Sequence, residues 1–400
     1  MYILIDASCS KFFTHNSSYI QSFAEILMKH SAVDSIETWI GESADSQTLS
    51  SFDSPVIPLL RSPIYSFTKK NLGYYVRDKL INNLLKKFQI EDTILFKKHI
   101  ANLIATFFYY QKPYKRIRRL QRKNSDFKLV LPSADGTSLR IVKYLIKRGM
   151  PINLLCVRTL NAENRGVLGV SDLSNFLNDL TKINPNLVVK IGWEIENNSK
   201  IIASLDNPNL HVCWAPIPPR IFNVGRHLGN PIRVGFLGAA RRNKGFDRIP
   251  EIIESLVKLD LTYVVQLSDN AWEDYEKTLN KIKETKANIE FLDGTVSNEK
   301  LLQSIAMCDL LIMPYQSNQY KFAGSGILYQ GADALVPTIT FDNLGFSWDV
   351  KSFEIGATIN KLDELPPLIN SRNLVKWSAN LIQYNEERLK ASRKFLNLEI

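Results

Sequence analysis

Residues 308–337 read CDLLIMPYQSNQYKFAGSGILYQGADALVP. The run opens on Leu310-Leu311-Ile312-Met313, a continuous apolar stretch that reads as a strand buried on both faces. Pro314 stops it. A polar loop follows, and Gly324-Ser325-Gly326 starts a helical pattern whose apolar face is Ile327, Leu328, Ala332 and Leu335. Pro337 then introduces the next strand, Thr338–Phe341. The order is strand, glycine-bearing loop, helix, strand. Free backbone N–H groups and the positive dipole end at such a helix start face whatever sits above the sheet. Glycines let an anion approach that backbone. The same stretch also suits a purely structural helix start in an α/β domain.

Working outward, Arg233-Val234-Gly235-Phe236-Leu237-Gly238 is a second strand ending in glycine, followed by Ala239-Ala240-Arg241-Arg242-Asn243-Lys244-Gly245-Phe246. Three cations cluster in a loop that opens an expected helix from Asp247 to Leu259. Both stretches are βα units of one parallel sheet, and loops after the strands of such a sheet share one edge, where ligands bind. Three positive charges opposite a helix N-terminus suit a diphosphate.

On these residues the chain resembles the GT-B glycosyltransferases related to the large retaining family four. Gly238 and Lys244-Gly245 match the spacing of that family's strand-Gly, loop and Lys-Gly. Counted back from Pro337, the family's helix Glu falls on Gln330. The first Glu of its Glu-x7-Glu pattern falls on Phe322, or near Tyr320 with a shifted loop. The sequence thus departs from the pattern at both acids, and its loop Arg is displaced to Arg241 or Arg242. The resemblance covers the C-terminal half by motif and the N-terminal half by architecture. It implies two Rossmann-like domains facing a cleft, a nucleotide-diphosphate sugar as donor, no further cofactor, no divalent metal, and transfer with retention. It also implies roles. Lys244 and Arg241 neutralise the leaving diphosphate, with Asp135 as a further catalytic candidate. Gly238, Arg242, Gly294, Thr295, Tyr320, Gly324, Ser325, Gly326 and Gln330 are the donor-side candidates. Ser8 and Arg158 are the acceptor-side candidates.

A chain of 400 residues, 45% hydrophobic, suggests two domains with a core each. The expected division is an N-terminal domain over 1–215, a Pro-rich linker over 216–230, a C-terminal domain over 231–371, and a final helix, Asn373 to Leu396, which the resemblance implies crosses back to the first domain. No apolar run is long enough to span a bilayer. Residues 1–10 read as a first strand and not as a signal peptide. Cys9, Cys156, Cys213 and Cys308 form no CxxC pair, so buried free thiols in a reducing cytoplasm are expected, with no metal site.

The N-terminal half alternates strand and helix: strand Tyr2 to Ile5 ending at Asp6, a loop carrying Ser8-Cys9-Ser10, a helix from Ser17 to Lys29 with Asn16 and Ser17 as caps, and short strands at Ser35–Gly41 and Pro55–Leu60. His15 is a lone loop histidine. After Phe127 the alternation resumes, and Asp135 and Arg158 stand at strand C-terminal ends, a position that faces the ligand edge. The same Asp also suits a helix cap.

Residues 61–124 differ in composition. They hold 16 Lys or Arg against Asp78, Glu91 and Asp92, whereas the whole chain is +10. The positive charge therefore belongs to one helical segment, interleaved with aromatics. That pattern suits an anionic membrane surface or an anionic acceptor; a solvated helix pair is the plain alternative. No recognisable nucleic-acid motif accompanies it.

The reading is a glycosyltransferase moving a sugar from a nucleotide-diphosphate sugar to a surface polysaccharide or lipid-linked glycan, in the cytoplasm or peripheral on the inner face of the membrane. The alternative is a catalytically inactive binding or scaffold subunit of the same fold, which the absent acids favour and Lys244 opposes. An NAD-dependent dehydrogenase is disfavoured because no strand is followed by Gly-x-Gly-x-x-Gly.

Overall fold

The computed structural model describes residues 1–6, 9, 15–42, 44–50, 52–60, 110–133, 136–159, 170–196, 199, 209–220, 228–267, 272–294 and 296–398. Ser8, Thr295, Asp135 and the greater part of the basic segment, 61–109, lie outside the described residues. The described parts form two compact units. The first takes its residues from Met1–Arg158, Gly166–Ile191 and Asn207–His211; the second from Gly192–Asp206, Val212–Ile400 and the short stretch Thr159–Arg165.

Thirteen strands build two sheets among the described residues. The first holds β1 (Tyr2–Asp6), β2 (Ile36–Gly41), β3 (Val56–Leu60), β4 (Phe127–Leu131), β5 (Ile152–Thr159), β6 (Val188–Trp193) and β7 (Leu210–Trp214), in the order β3-β2-β1-β4-β5-β6-β7. Strands β3 to β5 in that order pair in parallel, with Tyr2 opposite Ile36 on one side and Lys128 on the other. The second sheet holds β8 (Ile232–Phe236), β9 (Leu261–Gln266), β10 (Asn288–Leu292), β11 (Leu310–Met313), β12 (Thr338–Phe341) and β13 (Gly356–Ile359), ordered β10-β9-β8-β11-β12-β13 and parallel throughout. Both sheets reverse their strand order once, between β1 and β4 and between β8 and β11. In sheets wound this way the crevice at the strand C-termini of that reversal is where ligands sit. For the second sheet those ends are Gly238 and Pro314.

Continuous burial follows from the covering helices. Every residue of β1, β9, β11 and β12 is buried, so burial does not alternate along these strands, and β11 reads as an unbroken apolar run. The expected ranges of β11 and β12 are the observed ones.

Elsewhere the boundaries move, each for a local reason. The helix expected over Asp247 to Leu259 is two 3-10 turns, Arg242–Lys244 and Phe246–Arg248, and then a short helix, Ile249–Ser255. Gly245 separates the turns at φ +74, where a helix cannot continue. Leu335 does not belong to the apolar face of the helix it was assigned to. That helix, Gly326–Asp333, ends sooner, and Leu335 sits beyond it at φ +56 while Val336 N–H donates to the Gly331 carbonyl at 2.8 Å. This is a Schellman closure made without glycine. Asn16 and Ser17 are not caps, because the first helix already begins at His15. Strand β13 and the helices Ser46–Ser50, Ser317–Tyr320 and Ser347–Ser352 have no counterpart in the sequence reading.

The last helix runs Ser371–Phe395, capped by Asn370, whose side chain accepts from Asn373 N at 3.0 Å. Within the second unit it packs on the Gly326–Asp333 helix and on β13. It also holds the Pro-rich piece expected to be a linker: Arg388 Nε donates to Ile217 O at 3.0 Å, and Ala215 and Ile217 are buried. Among the described residues no helix is long and apolar enough to cross a membrane. Cys9, Cys156 and Cys308 are buried free thiols, and Cys213 is half-buried.

Candidate functional site

The site is built at the reversal point of the second sheet. The chain leaves β8 through Gly238 at φ +98, a conformation that only glycine adopts without strain. A Cβ there would meet Lys244 Nζ at 3.0 Å and Ile327 Cγ1 at 3.2 Å, so the glycine, the lysine and the start of the Gly326–Asp333 helix converge on one spot. The Lys-Gly pairing has its own cause. A Cβ at Gly245 would run into the Pro314 carbonyl, whose carbon lies 2.6 Å away, so glycine lets the Lys244 loop lie flat on the end of β11. Gln316 N–H donating to Asn243 O at 3.0 Å and Asn243 Nδ2 donating to Gln319 Oε1 at 2.7 Å clamp the two loops together.

Lys244 Nζ stands 5.5 Å from the centroid of the buried Tyr315 ring. Ser325 Oγ donates to the Tyr315 hydroxyl at 3.4 Å, and the Tyr320 ring lies 4.6 Å from that of Tyr315. The lysine keeps some solvent access but is densely surrounded. Burial lowers its pKa, Tyr320 opposes the shift, and the Arg241 charge adds to it. Burial pushes the Tyr315 phenol up to about 12, against the Ser325 hydrogen bond. It also raises Tyr320, while Lys244 pulls that group back. No carboxylate pairs with Lys244 or Arg241 among the described residues. A crowded cation without a counter-charge is costly, and an anion in the crevice would relieve that cost.

Two more loops join through a side chain that the sequence reading passed over. Gln266, buried at the end of β9, accepts from Gly238 N–H at 2.7 Å and donates to Gly294 O at 3.0 Å. It is the one amide closing the run Leu261-Thr-Tyr-Val-Val, and that break in an apolar strand is the signal that could have found it. Tyr315 carried a similar signal beside Pro314. Glu194 carried none. It follows β6 and is 2% exposed within the second unit, and a Cβ at Gly324 would overlap its carboxylate, Cδ lying 2.5 Å away. The next residue, Ile195, fills the space left by Gly345 in the same way, with Cγ2 at 2.8 Å. Gly324 is therefore glycine because a buried carboxylate packs on it.

The structure brings together Gly238, Arg241, Lys244, Tyr320, Ser325 and the first turn at Gly326, with Gly294 tied in through Gln266. Arg242 turns away, exposed, with Nε 3.7 Å from Asp247 Oδ2. Gln330 lies further along the helix, half-buried, and its side chain makes no hydrogen bond among the described residues. Arg158 does not face solvent. It is fully buried in the first unit, donates from Nη1 to Pro132 O at 3.2 Å and lies 5.2 Å from the Tyr19 ring centroid. A strand-end arginine reads as an edge group, but here the residue ties strand ends together from within. Among the described residues no three His, Cys, Asp or Glu side chains gather as a metal site would.

No family model and no curated protein matches the sequence. Solved structures do share the fold. Anabaena Alr3699/HepE in complex with UDP superposes with a TM-score of 0.59 at 11% identity, over 99% of this chain and 98% of that one. WaaG, a glycosyltransferase involved in lipopolysaccharide biosynthesis, gives 0.51 at 13% identity over 99% and 98%. The trehalose-6-phosphate synthase OtsA gives 0.53 at 10% identity over 99% and 96%. At such identities the likeness is one of fold: two parallel α/β units in the GT-B arrangement of strands.

Proposed function

We propose that this GT-B chain transfers a sugar from a nucleotide-diphosphate sugar to a glycan or lipid-linked glycan acceptor. The observation that carries the reading is the Lys244 amine, which has no carboxylate partner among the described residues, held 3.0 Å from the Cβ position of Gly238, at the strand reversal and beside a helix start. When the bond between the sugar's anomeric carbon and the diphosphate oxygen breaks, negative charge gathers on the departing oxygen. Lys244 and Arg241 supply fixed positive charge there, and the N–H groups at Ser325 and Gly326 add a dipole. The acceptor hydroxyl oxygen bonds to that carbon, and its proton passes to the departing diphosphate oxygen. This scheme assigns the charge neutralisation to side chains and calls on no divalent metal and no other cofactor. Retention of configuration, a cytoplasmic setting at the inner membrane face and a surface-polysaccharide acceptor extend the same proposal.

A binding subunit of this fold is the second reading, favoured by Phe322 and Gln330 where acids are expected. Gln330 still offers a donor and an acceptor to ribose hydroxyls. Calorimetry against UDP-, GDP- and other nucleotide sugars separates the two readings. Tight binding of one donor, weakened at least about tenfold in Lys244→Ala as befits a lost charged contact, is the expected result. Folded protein that binds no donor would leave the scaffold reading.

A further inference from the structure

The helix Gln111–Leu120 in the first unit carries five cations and spends only two of them on the fold. Lys112 pairs with Glu42, and Arg116 forks onto Glu37, its Nε reaching Oε2 at 3.1 Å. Those two sit on one side, four residues apart. Lys115, Arg118 and Arg119 occupy another side at the i, i+3, i+4 spacing. All three are exposed and have no carboxylate partner among the described residues. They border a concavity of about 370 Å³, and a fourth cation, Arg148, closes it from the end of the helix Gly136–Lys147. Its wall is aromatic. The Tyr114 and Tyr144 rings stand 6.0 Å apart, with the Arg148 guanidinium 5.9 and 5.3 Å from their centroids and that of Arg118 5.9 Å from Tyr114.

Four like charges around one hollow repel one another. The neighbouring Lys112, Arg116 and Lys143 all have acidic partners, whereas the four cations of the hollow have none among the described residues. The ring faces hold two guanidiniums in place, and neither spends a guanidinium N–H on a protein acceptor among the described residues. Planar guanidinium forks match phosphate oxygens two at a time, and lysines serve as point charges. A group of several negative charges uses four cations; a lone carboxylate does not. The volume falls in the roughly 300–1,000 Å³ range of small-molecule sites.

We propose that this hollow binds a phosphate-bearing group, gripped by Arg118 and Arg148 and flanked by Lys115 and Arg119. The inference does not depend on the transfer reading, since no residue of the Lys244 loop takes part. The phosphate could belong to a soluble phosphorylated compound or to a lipid headgroup, and two probes distinguish them. One is calorimetry with inorganic pyrophosphate. The other is co-sedimentation at low salt with phosphatidylcholine vesicles, with and without phosphatidic acid. Both are run on the full chain, on Lys244→Ala, and on the double variant Arg118→Gln/Arg148→Gln, whose exposed positions should leave the melting temperature unchanged. Pyrophosphate binding that persists in Lys244→Ala and weakens at least about tenfold in the double variant assigns the site to a soluble phosphate. Vesicle binding that needs phosphatidic acid and is lost in the double variant, without pyrophosphate binding, assigns it to a lipid headgroup. No binding of either probe, or binding that the double variant leaves unchanged, overturns the proposal. Pyrophosphate binding lost only in Lys244→Ala would sink the hollow while leaving the donor loop standing.

Discussion

A methyl group at position 324 has nowhere to go, because the buried Glu194 carboxylate fills its place. Gly324→Ala should therefore destabilise the second unit by about 1–3 kcal/mol, the usual cost of overpacking a tight site. Glu194→Ala in the same chain should restore most of that loss. Denaturant melts of the two single variants and the double variant form a cycle, and strictly additive losses would show that the two residues do not meet. The pairing explains what could and could not be read beforehand. Lys244-Gly245 was legible because its causes are local: a strand end, a left-handed glycine and a lysine six residues after Gly238. Glu194 was not, since its partner lies 130 positions away and nothing in the intervening chain marks it. Gly324 itself was singled out for anion approach, whereas the structure gives it a packing reason. The same limit applies to Arg158, which sequence position sends to a strand end and burial sends to the core.

At the scale of elements, the last helix is held by ionisable groups out of water. Arg388 is fully buried and donates to Asp333 Oδ1 at 2.8 Å and Asn385 Oδ1 at 2.7 Å, while Tyr384 donates its hydroxyl to Asp349 Oδ1 at 2.9 Å. Burial pushes the Asp349 carboxyl up to about 7; the Tyr384 hydrogen bond opposes this and Glu194 adds to it. Burial also pushes Asp333 up to about 6 against the pull of Arg388. A carboxyl raised on folding binds a proton that the unfolded chain releases. Its contribution to stability therefore falls as pH rises from about 4, the unfolded value, through the folded value. For Asp349 the window ends near pH 7. Asp349→Asn keeps an acceptor for Tyr384 and cannot ionise, so its stability should decline less over that window. The difference should be on the order of a few kcal/mol at its alkaline end, at about 1.4 kcal/mol per pKa unit. Unfolding free energies of both chains measured across the window test this, and parallel curves would rule it out. The helix itself was legible, since a 25-residue amphipathic pattern outlasts errors at its ends. Its buried polar side was not, because Arg388 and Asp333 look like surface residues until two elements are stacked. Four-residue β13 was missed because Gly-Ala-Thr-Ile is half-buried over its first three residues and lacks the continuous apolar run that marks the equally short β11.

For the whole molecule, the residues that converge on Lys244 all belong to the second unit. The ordering of both sheets was implicit in the alternation of strand and helix, because right-handed crossovers leave few ways to wind such a pattern. The division of the chain was harder to read: residues 192–196 and 212–215, expected with the first domain, group with the second. Two compact units in one chain should unfold as two events. A ligand stabilises only what it binds. Calorimetry of the full chain is thus expected to show two transitions. A nucleotide sugar at a hundred times its dissociation constant should raise only one of them, by about 2.7 kcal/mol of linked stability. Gly324→Ala should lower that same transition and leave the other in place, because position 324 lies in the unit that binds the donor. A single transition moved as a whole by both donor and substitution would mean that the two cores unfold together. The donor moving one transition and Gly324→Ala the other would put the donor outside the Lys244 crevice.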